Sequence, residues 1–177
     1  MNRILLIFGI LILIICCKSI DIKKNSESEK KDRYINLFAF IGEKISVTEF
    51  DPDQNNTRIE IDSVSGDTIE HITIAMDYGF KAKYRVVKNI YNNLKKDTIE
   101  FVAYDHYGRP KFEDYGSIIL YISKDKLGKE YFHQKYQFDP LLINEDGEWE
   151  GFNGESIEEL FKKKKNGVFK AREIFYN

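Results

Sequence analysis

From Tyr34 onward, apolar and polar residues alternate in short runs separated by clusters of Asp, Asn, Gly and Pro. Phe38, Phe40, Ile45 and Val47 open the series; Ile59, Ile61 and Val64 follow a polar break, and Ile69 to Ile74 continues the alternation. A period of two places successive side chains on opposite faces of an extended chain, one toward a core and one toward water. The same reasoning predicts strands over Phe80 to Val87, Thr98 to Tyr104, Ile118 to Ser123 and Tyr131 to Phe138. Turn chemistry lies between them at Asp51-Pro52-Asp53, Ser65-Gly66-Asp67, Tyr107-Gly108-Arg109-Pro110, Asp125 to Gly128 and Asp146-Gly147. Short strands at this spacing predict one all-β, mainly antiparallel domain over residues 34–177, built as a barrel or a sandwich.

One segment keeps a helical period instead. Ile157, Leu160 and Phe161 fall on one face at i, i+3 and i+4, Ser156 with Glu159 forms a capping box, and Asn166-Gly167 supplies a stop. Glu155, Glu158 and Glu159 lie at the positive end of this helix and Lys162 to Lys165 at its negative end, as the helix dipole favours. The lysine run is therefore read as charge capping rather than as a polyanion site. Val168 to Tyr176 reads as a final strand, with a continued helix as the alternative. Within Tyr131 to Phe138, the face of Phe132, Gln134, Tyr136 and Phe138 is expected to enter the core. Tyr131, His133, Lys135 and Gln137 form the other face, either a binding surface or the solvated side of an antiparallel sheet. Trp149, after the Asp146-Gly147 turn, is expected to pack on a barrel end.

The amino-terminal pattern is different in kind. Asn2 and Arg3 form a short n-region, and Ile4 to Cys17 carries no charge, which is the h-region of an export signal. The run stops at Lys18, short of the roughly 18 to 20 apolar residues that cross a bilayer. Ile14-Ile15-Cys16-Cys17-Lys18 resembles a bacterial lipobox, with Cys16 standing where that pattern has Gly, Ala or Ser. The resemblance implies that residues 1–16 are a signal peptide, that Cys17 is lipidated, and that the mature chain is lipid-anchored to a membrane of the bacterial cell envelope. An ordinary signal peptide with two filler cysteines is the alternative. Residues 17–33, rich in Lys, Ser, Glu and Asp, bury too little apolar surface to offset the entropy of ordering and read as a flexible tether.

The only two cysteines of the chain lie in this leader, so the domain is expected to fold without a disulfide or a cysteine-ligated metal. A net charge of −2, more acidic still without Arg3, argues against a nucleic-acid partner, for which a basic face is expected.

Phe38 to Val47 with its Gly42, Phe80 to Val87, and Asn89-Ile90-Tyr91-Asn92-Asn93-Leu94-Lys95-Lys96-Asp97-Thr98-Ile99-Glu100-Phe101 are similar to the netrin-like, or tissue-inhibitor-of-metalloprotease-like, modules of bacterial lipoproteins. That resemblance spans about half of the mature chain and implies an OB-like β-barrel with one short C-terminal helix. The inhibitory members of that family chelate a protease metal through a free amino-terminal cysteine held by disulfides. Here Cys17 would be acylated and lacks partner cysteines, so protease inhibition does not carry over.

The loop Tyr104-Asp105-His106-Tyr107-Gly108-Arg109-Pro110 gathers aromatic faces, an imidazole, a carboxylate and a guanidinium beside a rigid turn. Tyr104, Asp105, His106, Tyr107 and Arg109 are the candidate ligand-binding residues; a plain hairpin turn, with Asp105 capping the backbone, is the competing reading. Asp51, Asp53, Asn55 and Asp62 match positions 1, 3, 5 and 12 of a calcium loop, but Asn56 replaces the required Gly and no helices flank them. His71, His106 and His133 show no zinc spacing, and Ser117 has no nucleophile elbow to join His106 and Asp105 in a triad. The expectation is a non-enzymatic module, without cofactor or metal, that binds an envelope protein or glycan. An inhibitor or immunity-type protein that blocks a toxin or hydrolase is the alternative, and a small hydrolase the third.

Overall fold

The alternation along the chain resolves into eight strands and one capped helix in a computed structural model that describes residues 35–54 and 56–175. The leader, Cys17 and the tether lie outside the described residues. The strands are β1 (Phe38–Phe50), β2 (Thr57–Ile61), β3 (Thr68–Ile72), β4 (Tyr78–Tyr91), β5 (Thr98–Asp105), β6 (Ser117–Lys124), β7 (Tyr131–Ile143) and β8 (Trp149–Gly151). A 3₁₀ turn at Lys111–Asp114 precedes β6, and helix α1 covers Ile157–Lys164.

Five strands form a ring. β1 pairs antiparallel with β4 and β6, β4 with β5, and β6 with β7; β7 returns to β5 through one parallel bridge, Val102 to Phe132. The fold is thus mainly antiparallel β, an OB-like barrel with one short C-terminal helix, as expected. β8 adds to the outer edge of β7, and β2 pairs only with β3 in a separate two-stranded arm between β1 and β4.

Inside the ring, Phe38, Phe40, Phe80, Tyr84, Phe101, Phe112, Ile118 and Leu120 share one buried cluster. A second cluster lies on the outer face of β1 and β6, where Leu37, Ala39, Ile41, Ile119 and Tyr121 meet Leu160, Phe169 and Phe175. β6 and the first part of β1, Phe38 to Gly42, are therefore buried on both faces, and Ile118 to Ile122 is an unbroken apolar run in which every residue is buried. Gly42 is required in this wall: a Cβ there would lie 2.9 Å from the Phe40 ring and 3.2 Å from that of Tyr84.

Two local devices hold the ring. At the end of β4, Asn92 sits in the left-handed region at φ 52° and its amide donates to the carbonyls of Ile35 and Leu37 at 2.9 and 2.7 Å, tying the approach to β1. The Leu94 amide donates to Asn89 Oδ1 at 3.0 Å, closing the same turn. On β7, the two-residue step from Leu120 to Ile122 of β6 is matched by a five-residue step from Phe138 back to His133, so β7 carries a large bulge with Tyr136 at φ 66°.

The capping box forms as predicted: Ser156 Oγ accepts from the Glu159 amide at 3.3 Å, and Glu159 Oε2 accepts from the Ser156 amide at 2.9 Å. The C-terminal reading needs correction. Asn166-Gly167 does not stop the helix; the chain passes through a wide π-turn, Lys165–Phe169, kinked at Gly167, and Val168 onward is helix and turn rather than strand. The reason is that Phe169 and Phe175 must return to the outer face of β6: the Phe169 ring lies 5.0 Å from that of Tyr121. Trp149 packs in this layer beneath α1.

Candidate functional site

The Tyr104 to Pro110 loop leaves the ring at the end of β5, beside the root of the β2–β3 arm. Its five predicted residues divide into two groups. Asp105 is buried, and its Oδ1 accepts from the Tyr107 amide at 2.9 Å, the backbone-capping role of a turn. Arg109 grips Glu113 through two hydrogen bonds of 2.5 and 2.7 Å, donates to the Val47 carbonyl at 3.0 Å, and lies over the Phe80 ring. Its guanidinium is held charged by Glu113, and its donors are turned to the protein's own framework.

Tyr104, His106 and Tyr107 face outward. Tyr104 stacks on Phe132 with ring centroids 6.4 Å apart and meets Phe50 edge-on, so one side of it braces the seam of the barrel. His106 Nδ1 donates to the Met76 carbonyl at 2.9 Å and stands 3.5 Å from Asp77 Oδ1. Asp77 also takes Lys135 Nζ at 2.6 Å, and this bond holds the Lys135 ammonium pKa above its ordinary value. Tyr107 is 86% exposed, and its ring lies 6.3 Å from that of Tyr136, itself 44% exposed. Beside the loop an open groove of about 750 Å³ runs between Phe50, Met76, Tyr78 and His106.

Tyr136 and Asp77 belong to this surface although the sequence pattern assigned neither to it; Lys135 comes from the strand face that the pattern offered as a binding surface. Alternation placed Tyr136 in the core; the β7 bulge shifts it out and brings His133 in. His133 packs 4.7 Å from the Phe112 ring, donates from Nε2 to the Gln137 carbonyl at 2.9 Å, and its pKa is pushed down to about 4, chiefly by burial. The expected polar face of β7 thus holds a half-buried histidine packed against the core ring of Phe112. Nothing in the run Tyr131 to Phe138, which has neither Gly nor Pro, marks the bulge in advance.

The remaining candidates serve the framework. Asp51 Oδ1 accepts from the Asp53 amide, Asp53 Oδ1 from Ala75 and Asn56, and Asp62 Oδ1 from Val64 and Ser65, so three positions of the calcium pattern cap turns; Asn55 lies outside the described residues. Among the described residues no cluster of three or more His, Cys, Asp or Glu could hold a metal. His71 stands 3.2 Å from Glu60 on the arm, and no hydrogen bond joins Ser117, His106 and Asp105 among the described residues. On the opposite side, Tyr121 Oη donates to Asp139 Oδ2 at 2.6 Å and Lys164 lies 3.4 Å from Asp139 Oδ1; burial first, and the Asp139 charge second, push the Tyr121 phenol pKa up.

Comparison with known proteins finds no matching family model, no similar curated protein and no similar solved structure.

Proposed function

We propose that this chain is a lipid-anchored envelope protein whose barrel is a non-enzymatic binding module, and that its ligand is a glycan held on the Tyr104, Tyr107 and Tyr136 shelf. Export and anchoring rest on the leader and on Cys17. The observation that carries the binding reading is the pair of water-facing rings, Tyr107 and Tyr136, fixed side by side by a capped turn and by a bulge. Flat aromatic faces stack on the apolar faces of sugar rings, while His106 and the Asp77–Lys135 pair offer donors and acceptors for hydroxyl groups around the rim. Asp105 and Arg109 act as positioning residues for the loop.

The test is titration of the full chain with envelope polysaccharides and peptidoglycan fragments, read by calorimetry. Tyr107→Ala with Tyr136→Ala should abolish binding while circular dichroism stays unchanged. Binding indifferent to that double variant, or turnover of a fragment by the purified protein, would overturn the proposal.

A further inference from the structure

The β2–β3 arm presents a surface that the barrel leaves uncovered. All ten of its strand positions are exposed. Its register places Ile59, Ile61 and Ile72 on one face, at 68, 69 and 64% exposure, with Glu70 opposite Ile59, and Arg58, Glu60, Ile69 and His71 on the other. An isolated two-stranded hairpin is marginal in water, and an exposed face with three isoleucines, whose strand edges meet no further strand among the described residues, is a docking surface or a liability. The arm is also acidic: Glu60, Asp62, Asp67 and Glu70 stand against Arg58 alone.

The complement to this arm lies on the barrel. Because β5 meets β7 at a single bridge, the β5 edge from Thr98 to Phe101 has no strand partner on that side among the described residues. A groove of about 800 Å³ follows this edge, flanked by Lys81, Lys83, Lys96 and Lys129; of its described residues Glu100, paired with Lys83 at 2.9 Å, and Glu130 are the acids, which leaves a net positive lining. An open edge in a basic groove suits an acidic strand, which would add main-chain hydrogen bonds to β5 and ion pairs at its margins.

We propose that the chain self-associates, the arm of one copy seating in the β5 groove of a second. A second copy is favoured as occupant because acidic arm and basic groove occur on the same chain, whose net charge is only −2. A single small arm covers less than the roughly 800 Å² per partner of a stable interface, whereas reciprocal seating doubles the contact and closes it as a two-fold pair. This contact is independent of the tyrosine shelf.

Sedimentation velocity of the full chain in mild detergent tests it. A dimer is expected at low salt, weakened at least about tenfold when ionic strength shortens the screening length toward 3 Å. Asp67→Lys with Glu70→Lys should give a monomer, as should Lys81→Glu with Lys96→Glu. Mixing the two charge-reversed variants should restore a dimer, since both contacts are then complementary, and this rescue excludes misfolding as the cause of either loss. A monomeric parent chain, a dimer indifferent to both reversals, or a mixture that stays monomeric would overturn the proposal, including the case in which a foreign acidic peptide fills the groove instead.

Discussion

The wall made by β1 and β6 and the arm made by β2 and β3 use the same residues to opposite ends. Ile118 to Ile122 is buried at every position, whereas Thr57 to Ile61 is exposed at every position. By pattern alone, Ile59 and Ile61 are as good core residues as Phe38 and Phe40. What separates them is the number of layers packed on each strand. The wall has the ring interior on one side and α1 with Phe169 and Phe175 on the other, while the arm has none. Burial belongs to the assembly of elements rather than to the strand that carries the apolar residues.

The sharpest way to break this contrast is matched truncation. Phe40→Ala in the wall should cost about 3 to 5 kcal/mol, because the lost ring leaves a cavity among Phe80, Tyr84 and Leu120 that cannot fully collapse. Ile61→Ala in the arm, measured at high salt where the chain is monomeric, should change stability by no more than about 0.5 kcal/mol. Urea midpoints at unchanged slope would measure both. Equal losses at the two sites would mean that the arm is covered in solution.

Acid attacks the ring at its seam. His133 has an ordinary pKa of 6.5, which the unfolded chain regains, and one of about 4 in the fold. The unfolded state therefore binds the proton first. The contribution is fully present above about pH 6.5 and declines as pH falls toward 4, where roughly 3 kcal/mol has been lost. Denaturation midpoints across that window should fall with pH in the parent chain and stay flatter in His133→Phe.

The smallest expected effect lies in the outer layer. Ser156→Ala removes the acceptor of the Glu159 amide and should cost about 1 kcal/mol, read as a shift in thermal midpoint. A larger loss would show that α1 is essential to the double burial of β1 and β6; a negligible one would put that burden on Phe169 and Phe175.

The strands, their turns and the capped start of α1 were legible because each depends on neighbours in sequence. Period two, a Gly or Asp-Pro break, and a Ser three residues before a Glu are local sterics and local hydrogen bonds. The loop from Tyr104 to Pro110 was legible in the same way, down to the capping role of Asp105. What local pattern could not yield was the β7 bulge and everything that follows from it: His133 turned inward, Tyr136 turned out beside Tyr107, and Lys135 brought to Asp77 across 58 positions of sequence. It also could not choose between strand and continued helix after Gly167, where the chain keeps helical turns and then a tight turn to deliver Phe169 and Phe175.

By itself, then, the sequence determined where the backbone is extended, where it turns and where one helix begins, since these choices are settled within a few residues. The tertiary structure alone decided which strands are neighbours, which of two equally apolar faces is covered, and which distant side chains share a surface. Those outcomes depend on closing long loops and on filling one common interior, and register yields wherever the packing of that interior gains more than a regular ladder would.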